Sequence, residues 1–340
     1  MDDCPLLHRS SKLSSVATTA EDAMARYTQR RLLQMIPLLL GISMIIFLII
    51  QAAPGGPEAI FLERGTFVDP QVIESFRRRL GLDQPIYIQY IRWFGAMLSG
   101  DFGVSFSTGR PVAQVILERL PATVELMALS FVFAAIAALP LGIYSAYRQY
   151  SLLDLSATTF SFLGMAMPVF WFGLILQLVF AVRLGWLPTS GRTTVGNESL
   201  WNQVQHLILP AVVLSIRQIA GWSRYMRASL LDIIHADYVR TARAKGLSER
   251  TVILGHAVKN ALIPVVSIMA LDLAGLFSGA VITETIFGWP GIGRLFVQSM
   301  FARDYPVLMG ILMIGSFMVV FFNLMADLLY GWLDPRISYQ

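Results

Sequence analysis

DYVRTARAKGLSERTVILGHAVKNALIP, Asp237 to Pro264, is a polar, basic island between two stretches apolar enough to cross a membrane. Its pattern predicts short helices broken at Gly246, since glycine takes a bend that other residues resist. Val239, Ala242 and Ala244 are small or apolar on a basic background of Arg240, Arg243, Lys245 and Arg250. Small side chains let another surface come close, and the cations can satisfy acidic groups around the contact, which describes a docking element. The other reading is a solvated loop that carries the cytoplasmic excess of positive charge. From Arg224 to Lys259 about seven Lys and Arg face three Asp and Glu, so either reading places the island on the cytoplasmic side.

Working outward, the chain has the composition of a bilayer protein. Of its 340 residues 55% are hydrophobic and 14% charged, and the mean hydropathy is +0.61. That is too apolar for an ordinary soluble domain. The net charge of +4 reports cytoplasmic arginine and gives no reason to expect nucleic acid. Cys4, the single cysteine, excludes an internal disulfide, and His8, His206, His235 and His256 lack the i, i+4 spacing of a helical metal site, so no metal centre is expected.

Spans are expected at about 32–53, 121–147, 155–184, 206–222, 262–286 and 307–330, each long enough at 1.5 Å per residue. Residues 1–31 read as a cytoplasmic tail, structureless to about Ala23, and Met24 is a natural place for a compact membrane protein to begin; the preceding residues are expected to be dispensable. Arg30-Arg31 hold the N-terminus inside. Region 54–119 is external, with one surface helix from Pro70 closed by Gly81 and a second over Tyr87–Leu98 whose Ile88, Ile91, Trp93 and Phe94 suit a membrane surface or neighbouring helices. Pro121 is expected near a helix N-terminus and Pro168 as a kink in the third span. Region 224–261 is cytoplasmic, as is the C-terminus.

Ionisable and polar groups inside spans are functional candidates, because they are costly in lipid. Glu125 lies near the external end of its span and reads as a headgroup-zone residue; Arg217, with Arg224 and Arg227 at helical spacing, reads as reaching the cytoplasmic interface. Gln177 is the most polar interior residue of the third span. Asp272 lies near mid-membrane in the fifth, where Ala270, Ala274 and Ser278, beside Gly275 and Gly279, allow close helix approach. Gln177, Asp272, Gly275, Ser278 and Gly279 are therefore the pore or interface candidates. Ser130 and Ser161 suit interhelical hydrogen bonds.

No phosphate loop, nucleophile elbow or zincin motif occurs, and no Gly-Lys pair is present, so the chain is expected not to be an enzyme and any ATP must be hydrolysed elsewhere. A stand-alone secondary transporter or channel is the alternative, with Glu125 and Asp272 as proton carriers, although no internal repeat supports it.

The opening stretch resembles the cytoplasmic coupling motif of ABC importer permeases, Glu-Ala-Ala, three residues, then Gly, matched here by Arg240, Thr241, Ala242 and Gly246. Arg240 replaces the acidic residue, and the family's apolar-x-Leu-Pro ending arrives later, at Ile263-Pro264; both departures resemble the peptide and nickel branch with its RTARAKG core. The strings RRLGLDQP, QYIRW and GDFGVS are similar to that branch too. So are E-x-x-F-x-x-P-G-x-G-x-L and R-D-Y-P, matched at Glu284, Phe287, Pro290, Gly291, Gly293, Leu295, Arg303, Asp304, Tyr305 and Pro306.

The resemblance covers nearly all of the chain after Met24. It implies an all-α polytopic membrane protein with the type I ABC importer transmembrane fold over 32–340, in a bacterial inner membrane. It further implies that Asp237, Arg240, Thr241, Ala242, Arg243, Ala244, Lys245 and Gly246 couple to an ATPase subunit. Glu284, Pro290, Gly291, Gly293, Arg303 and Asp304 would belong to an external loop facing a binding protein. The implied partners are a second homologous permease, two subunits that bind ATP and Mg, an extracytoplasmic substrate-binding protein and membrane lipid. The implied solutes are di- and oligopeptides, glutathione, nickel chelates or sugars.

Overall fold

A computed structural model describes the backbone of residues 5–53, 71, 74, 75, 78, 81–197 and 199–333, and their side chains except 5–25, 27, 274, 276–279 and 330–333. Among the described residues the regular structure is entirely helical. Over these residues the helices are α1 Pro5–Gln51, α2 Ile86–Leu98, α3 Val112–Tyr147, α4 Leu152–Ala166, α5 Val169–Leu176, α6 Leu200–Ile234, α7 Asp237–Ala244, α8 Glu249–Thr251, α9 Val258–Ile286, α10 Ile292–Phe301 and α11 Tyr305–Leu333. Wide π-type turns follow α5 at Gln177–Arg183 and precede α9 at Val252–Ala257.

Five described helices are long and apolar enough to cross a membrane, and six if the bent pair α4 and α5 counts as one. The segment read as one kinked span is in fact two helices meeting at 109°. Met167, held extended at ψ 131°, and Pro168 form the break. Proline sterically drives the residue before it out of the helical region, and here nothing restores the lost turn. Pro121 behaves in the opposite way: α3 starts at Val112 and carries Pro121 and Pro140 inside, so Pro121 does not mark the helix start. Long membrane helices tolerate this because neighbouring groups satisfy the carbonyl that proline leaves free.

The axis of the bundle is α6. Its apolar window is 61% buried inside the chain, against 17% for that of α1, which therefore lies at the periphery. Ser199 caps α6 by accepting from the Asn202 amide, satisfying one of the free donors at a helix start. α3 lies so close to α6 that a methyl group at Gly142 would sit 2.5 Å from the Ser223 carbonyl oxygen. Ser161 donates to Ala157 of its own helix and lies 3.4 Å from Ser223, whereas Ser130 bonds back to Leu126 and, among the described residues, makes no bond between helices. Phe131 meets Trp222 edge-on, 5.2 Å between centroids, within a core that also holds Ala134, Ala138, Met226 and Leu230.

The peripheral pair α1 and α11 is pinned at both ends. At one, Phe47, Met309 and Met313 pack with Tyr90 and Trp93 of α2, and Ser43 Oγ lies 2.8 Å from the Tyr90 hydroxyl. The helix expected over Tyr87–Leu98 thus covers the bundle while Ile91 stays exposed. At the other, Arg31 and Asp327 are 3.2 Å apart. The stretch up to Ala23, expected to be structureless, is the helical beginning of α1. It has no Gly or Pro between Leu6 and Ile36, and extending a helix already nucleated costs far less than starting one. Most of the external helix expected from Pro70, and the tail after residue 333, lie outside the described residues.

Candidate functional site

One end of the bundle carries a basic elbow. α6 ends at Ile234, α7 turns away, and the chain reverses at Gly246, whose φ of +77° lies in the left-handed region that side chains with a Cβ resist. Ser248 then caps α8 by accepting from the Thr251 amide at 3.3 Å. Val239 and Ala242 point inward and join Trp222, Leu230, Val252 and Ala257 in one core cluster. The expectation that both form the contact surface is corrected: their small size lets α7 lie close on its own bundle. The exposed face consists of Asp237, Arg240, Thr241, Arg243, Ala244, Lys245 and Gly246, continuing to Arg250. Arg243 braces it, donating to Glu249 at 2.8 and 3.2 Å and to the Ile234 carbonyl at 3.2 Å. The hydrogen bond from Arg243 to Glu249 holds the guanidinium pKa above its ordinary value, against the small effect of burial. Arg240 and Asp237, 3.7 Å apart and both exposed, form only a loose pair.

The loop after α9, at the opposite end, is built in the reverse sense. Glu284 is wholly buried; its carboxylate accepts from Thr123 Oγ1 at 2.7 Å and from the Arg294 amide at 3.0 Å, while Thr123 Oγ1 accepts from the Ile292 amide at 2.8 Å. Trp289 is also wholly buried and donates its indole N–H to the Ala122 carbonyl at 2.8 Å. A methyl group at Gly291 would land on the Glu284 carboxylate, and one at Gly293 would strike the Val281 backbone, lying 2.9 Å from its nitrogen. Pro290, Gly291 and Gly293 thus let the loop wrap a carboxylate. Asp304, 1% exposed, accepts from Ser105 Oγ at 2.5 Å, from the Phe106 and Ser107 amides at 3.0 and 3.1 Å, and from the Ser107 hydroxyl. Arg303 takes φ +51° at the turn that aims it. Within the loop expected to face a binding protein, Glu284 and Asp304 turn their side chains inward and hold the loop together, so any contact surface there is made by other groups.

Between these two ends α6 and α9 line a cavity of about 520 Å³, with Arg217, Gln218, Gly221, Asp272 and Gly275 in its wall. Trp222 Nε1 donates to Asp272 Oδ2 at 2.7 Å. Arg217, expected at the cytoplasmic interface, faces this cavity. The three arginines at helical spacing diverge: Arg224 stacks 5.4 Å from the Phe162 ring centroid, and Arg227 pairs with Asp154. Glu125 is held by Arg192 at 2.9 Å and by Gln203. Glu125 and Asp272 therefore have separate partners and form no proton-carrying pair. Gln177 donates to the Thr189 carbonyl at the start of a π-type turn, away from the cavity wall. The side chains of Ala274, Ser278 and Gly279 lie outside the described set. Among the described residues no group of three or more His, Cys, Asp or Glu could hold a metal ion.

Comparison with known proteins places this architecture. Residues 138–339 match the family described as binding-protein-dependent transport system inner membrane component, and residues 24–127 match its N-terminal companion. The chain belongs to the binding-protein-dependent transport permeases. It is 46% identical over 322 residues to the oligopeptide transport system permease protein AppB of Bacillus subtilis, covering 93% of this chain and all of that one. It is 41% identical over 317 residues to the glutathione transport system permease protein GsiC of Escherichia coli K12, with the same coverage. The inward-facing MetNI methionine ABC transporter shares its fold, with a TM-score of 0.52 and 14% identity over 65% of this chain and 97% of that one. The fold is thus that of an ABC importer transmembrane domain, and the protein is a multi-pass permease that works with ATPase and other subunits.

One contact of the permease was not anticipated from sequence. Arg227 donates to both oxygens of Asp154, at 2.8 and 3.0 Å, and the Tyr150 amide donates to the same carboxylate at 2.9 Å. This fork ties the first turn of α4, and through the Tyr150 amide the link before it, to the axis α6. The available signal was Asp154 as the one acid in the RQYSLLD turn, with Arg227 beyond the apolar part of α6.

Proposed function

We propose that this permease is one half of the translocation path of an ABC importer for di- or oligopeptides or related solutes. It pairs with a second homologous permease, two ATP-binding subunits that hold ATP and Mg, and an extracytoplasmic binding protein that delivers solute. Both termini are cytoplasmic in this reading, and the chain itself holds no cofactor. The observation that carries it is the elbow from Asp237 to Arg250, charged and exposed outside yet packed through Val239 and Ala242 into the core that contains α6. A load applied there reaches the spans without an intervening flexible joint, which is what a lever in a two-state bundle requires. Near full-length similarity to permeases named for oligopeptides and glutathione supports the substrate class.

The test is reconstitution. Vesicles holding the assembled importer and its binding protein should accumulate labelled peptide only with ATP, and vesicles holding this chain alone should accumulate none. ATP-independent accumulation by the chain alone would refute the reading. Replacing Gly246 with valine should release the ATP-binding subunits during purification while the permease stays folded.

A further inference from the structure

Three features of the cavity between α6 and α9 are unexplained by packing. Arg217 has no hydrogen-bond or ion-pair partner among the described residues, although Asp272 lines the same space. Asp272 uses Oδ2, fixed by the buried Trp222, and among the described residues Oδ1 has no bond. The Oε1 atom of Gln218 is buried with no partner. A cation near the middle of one apolar helix and an anion near the middle of another are costly, and a self-contained bundle would join them. Gly221 and Gly275, in the same wall, have nothing within 4 Å of where a Cβ would be. Among the described residues neither glycine brings two helices of this chain together, and both keep the wall open at a cost in helix propensity.

We propose that this cavity is a weak binding station for a zwitterion, in which Arg217 takes a free carboxylate while Asp272 Oδ1 takes an ammonium or amide N–H. The ligand class is a short peptide or amino acid with free ends; the assignment of transport to this site rests on the reading above. Arginine presents a planar fork suited to a carboxylate, and the indole that holds Asp272 is neutral, so the carboxylate's charge stays available. A station on a transport path must bind weakly enough to release, which suits one cation and one anion exposed to a wide space.

The experiment has two arms on the assembled importer. In nanodiscs without binding protein, saturation-transfer NMR with alanyl-alanine, its C-terminal amide and its N-acetyl form should show contact that needs both free ends. Arg217→Gln should abolish the preference for the carboxylate over the amide. Asp272→Asn, which can still accept from Trp222, should abolish the preference for the free amine. In vesicles, Arg217→Gln should lower alanyl-alanine uptake per assembled complex about tenfold, the loss expected for a charge-assisted hydrogen bond. Equal contact by all three probes in the wild type, or preferences unchanged in both variants, would overturn the station. So would loss of the second permease from the Arg217→Gln complex, which would make Arg217 an interface residue. End-dependent contact without wild-type uptake would retain the station and refute peptide import; normal uptake in both variants with unchanged NMR would do the reverse.

Discussion

Two connections of similar chemical content lie at opposite ends of the bundle and treat their charges in opposite ways. The elbow sends Val239 and Ala242 into the core and leaves its arginines and Lys245 outside, whereas the loop after α9 draws Glu284 and Asp304 inside and encloses them in donors. The elbow keeps its charges available to a partner, and the loop after α9 uses its acids to hold itself in place. A buried, fully hydrogen-bonded carboxylate fixes one loop geometry, because any other arrangement leaves a charge unpaired in a poor solvent.

The comparison can be broken first at its tightest point. Gly293→Ala pushes a methyl group into the Val281 backbone and should cost about 3 kcal/mol, read as a fall in the thermal midpoint in detergent. Asp304→Ala leaves Ser105 Oγ and the Phe106 and Ser107 amides without their acceptor. About 2 kcal/mol should be lost, with faster hydrogen exchange at those two amides. At the elbow Gly246→Val meets no neighbour, so its cost is the left-handed backbone alone, about 1–2 kcal/mol, with retained fold and lost ATPase association. Arg240→Ala should leave the thermal midpoint unchanged, since its pair with Asp237 is exposed, while weakening co-purification with the ATP-binding subunits. Equal thermal losses from Gly293→Ala and Arg240→Ala would erase the distinction between the two connections.

The helical spans, the bend at Gly246 and the exposed basic charge around it were legible because each depends on local composition. The direction of individual side chains was not. Glu284 finds Thr123, and Asp304 finds Ser105, across more than a hundred intervening residues, so no window of sequence reveals that either is enclosed. Arg217, Arg224 and Arg227 share a helical spacing, yet one faces a cavity, one an aromatic ring and one a buried acid. Periodicity assigns a face to a helix but says nothing about which neighbour occupies that face. Pro168 was legible as an irregularity, but its angle depends on the packing of α5 against α6 and α9, which no local preference encodes.

The contact between Arg31, where the first apolar helix starts, and Asp327, where the last one finishes, constrains the count of bilayer crossings. Two ends that touch lie on one face, so the number of passes between them is even. Five straight passes cannot satisfy that parity. The bent pair at Pro168 must therefore supply the sixth, and a reporter enzyme fused after α11 would change sides if that pair were cut out.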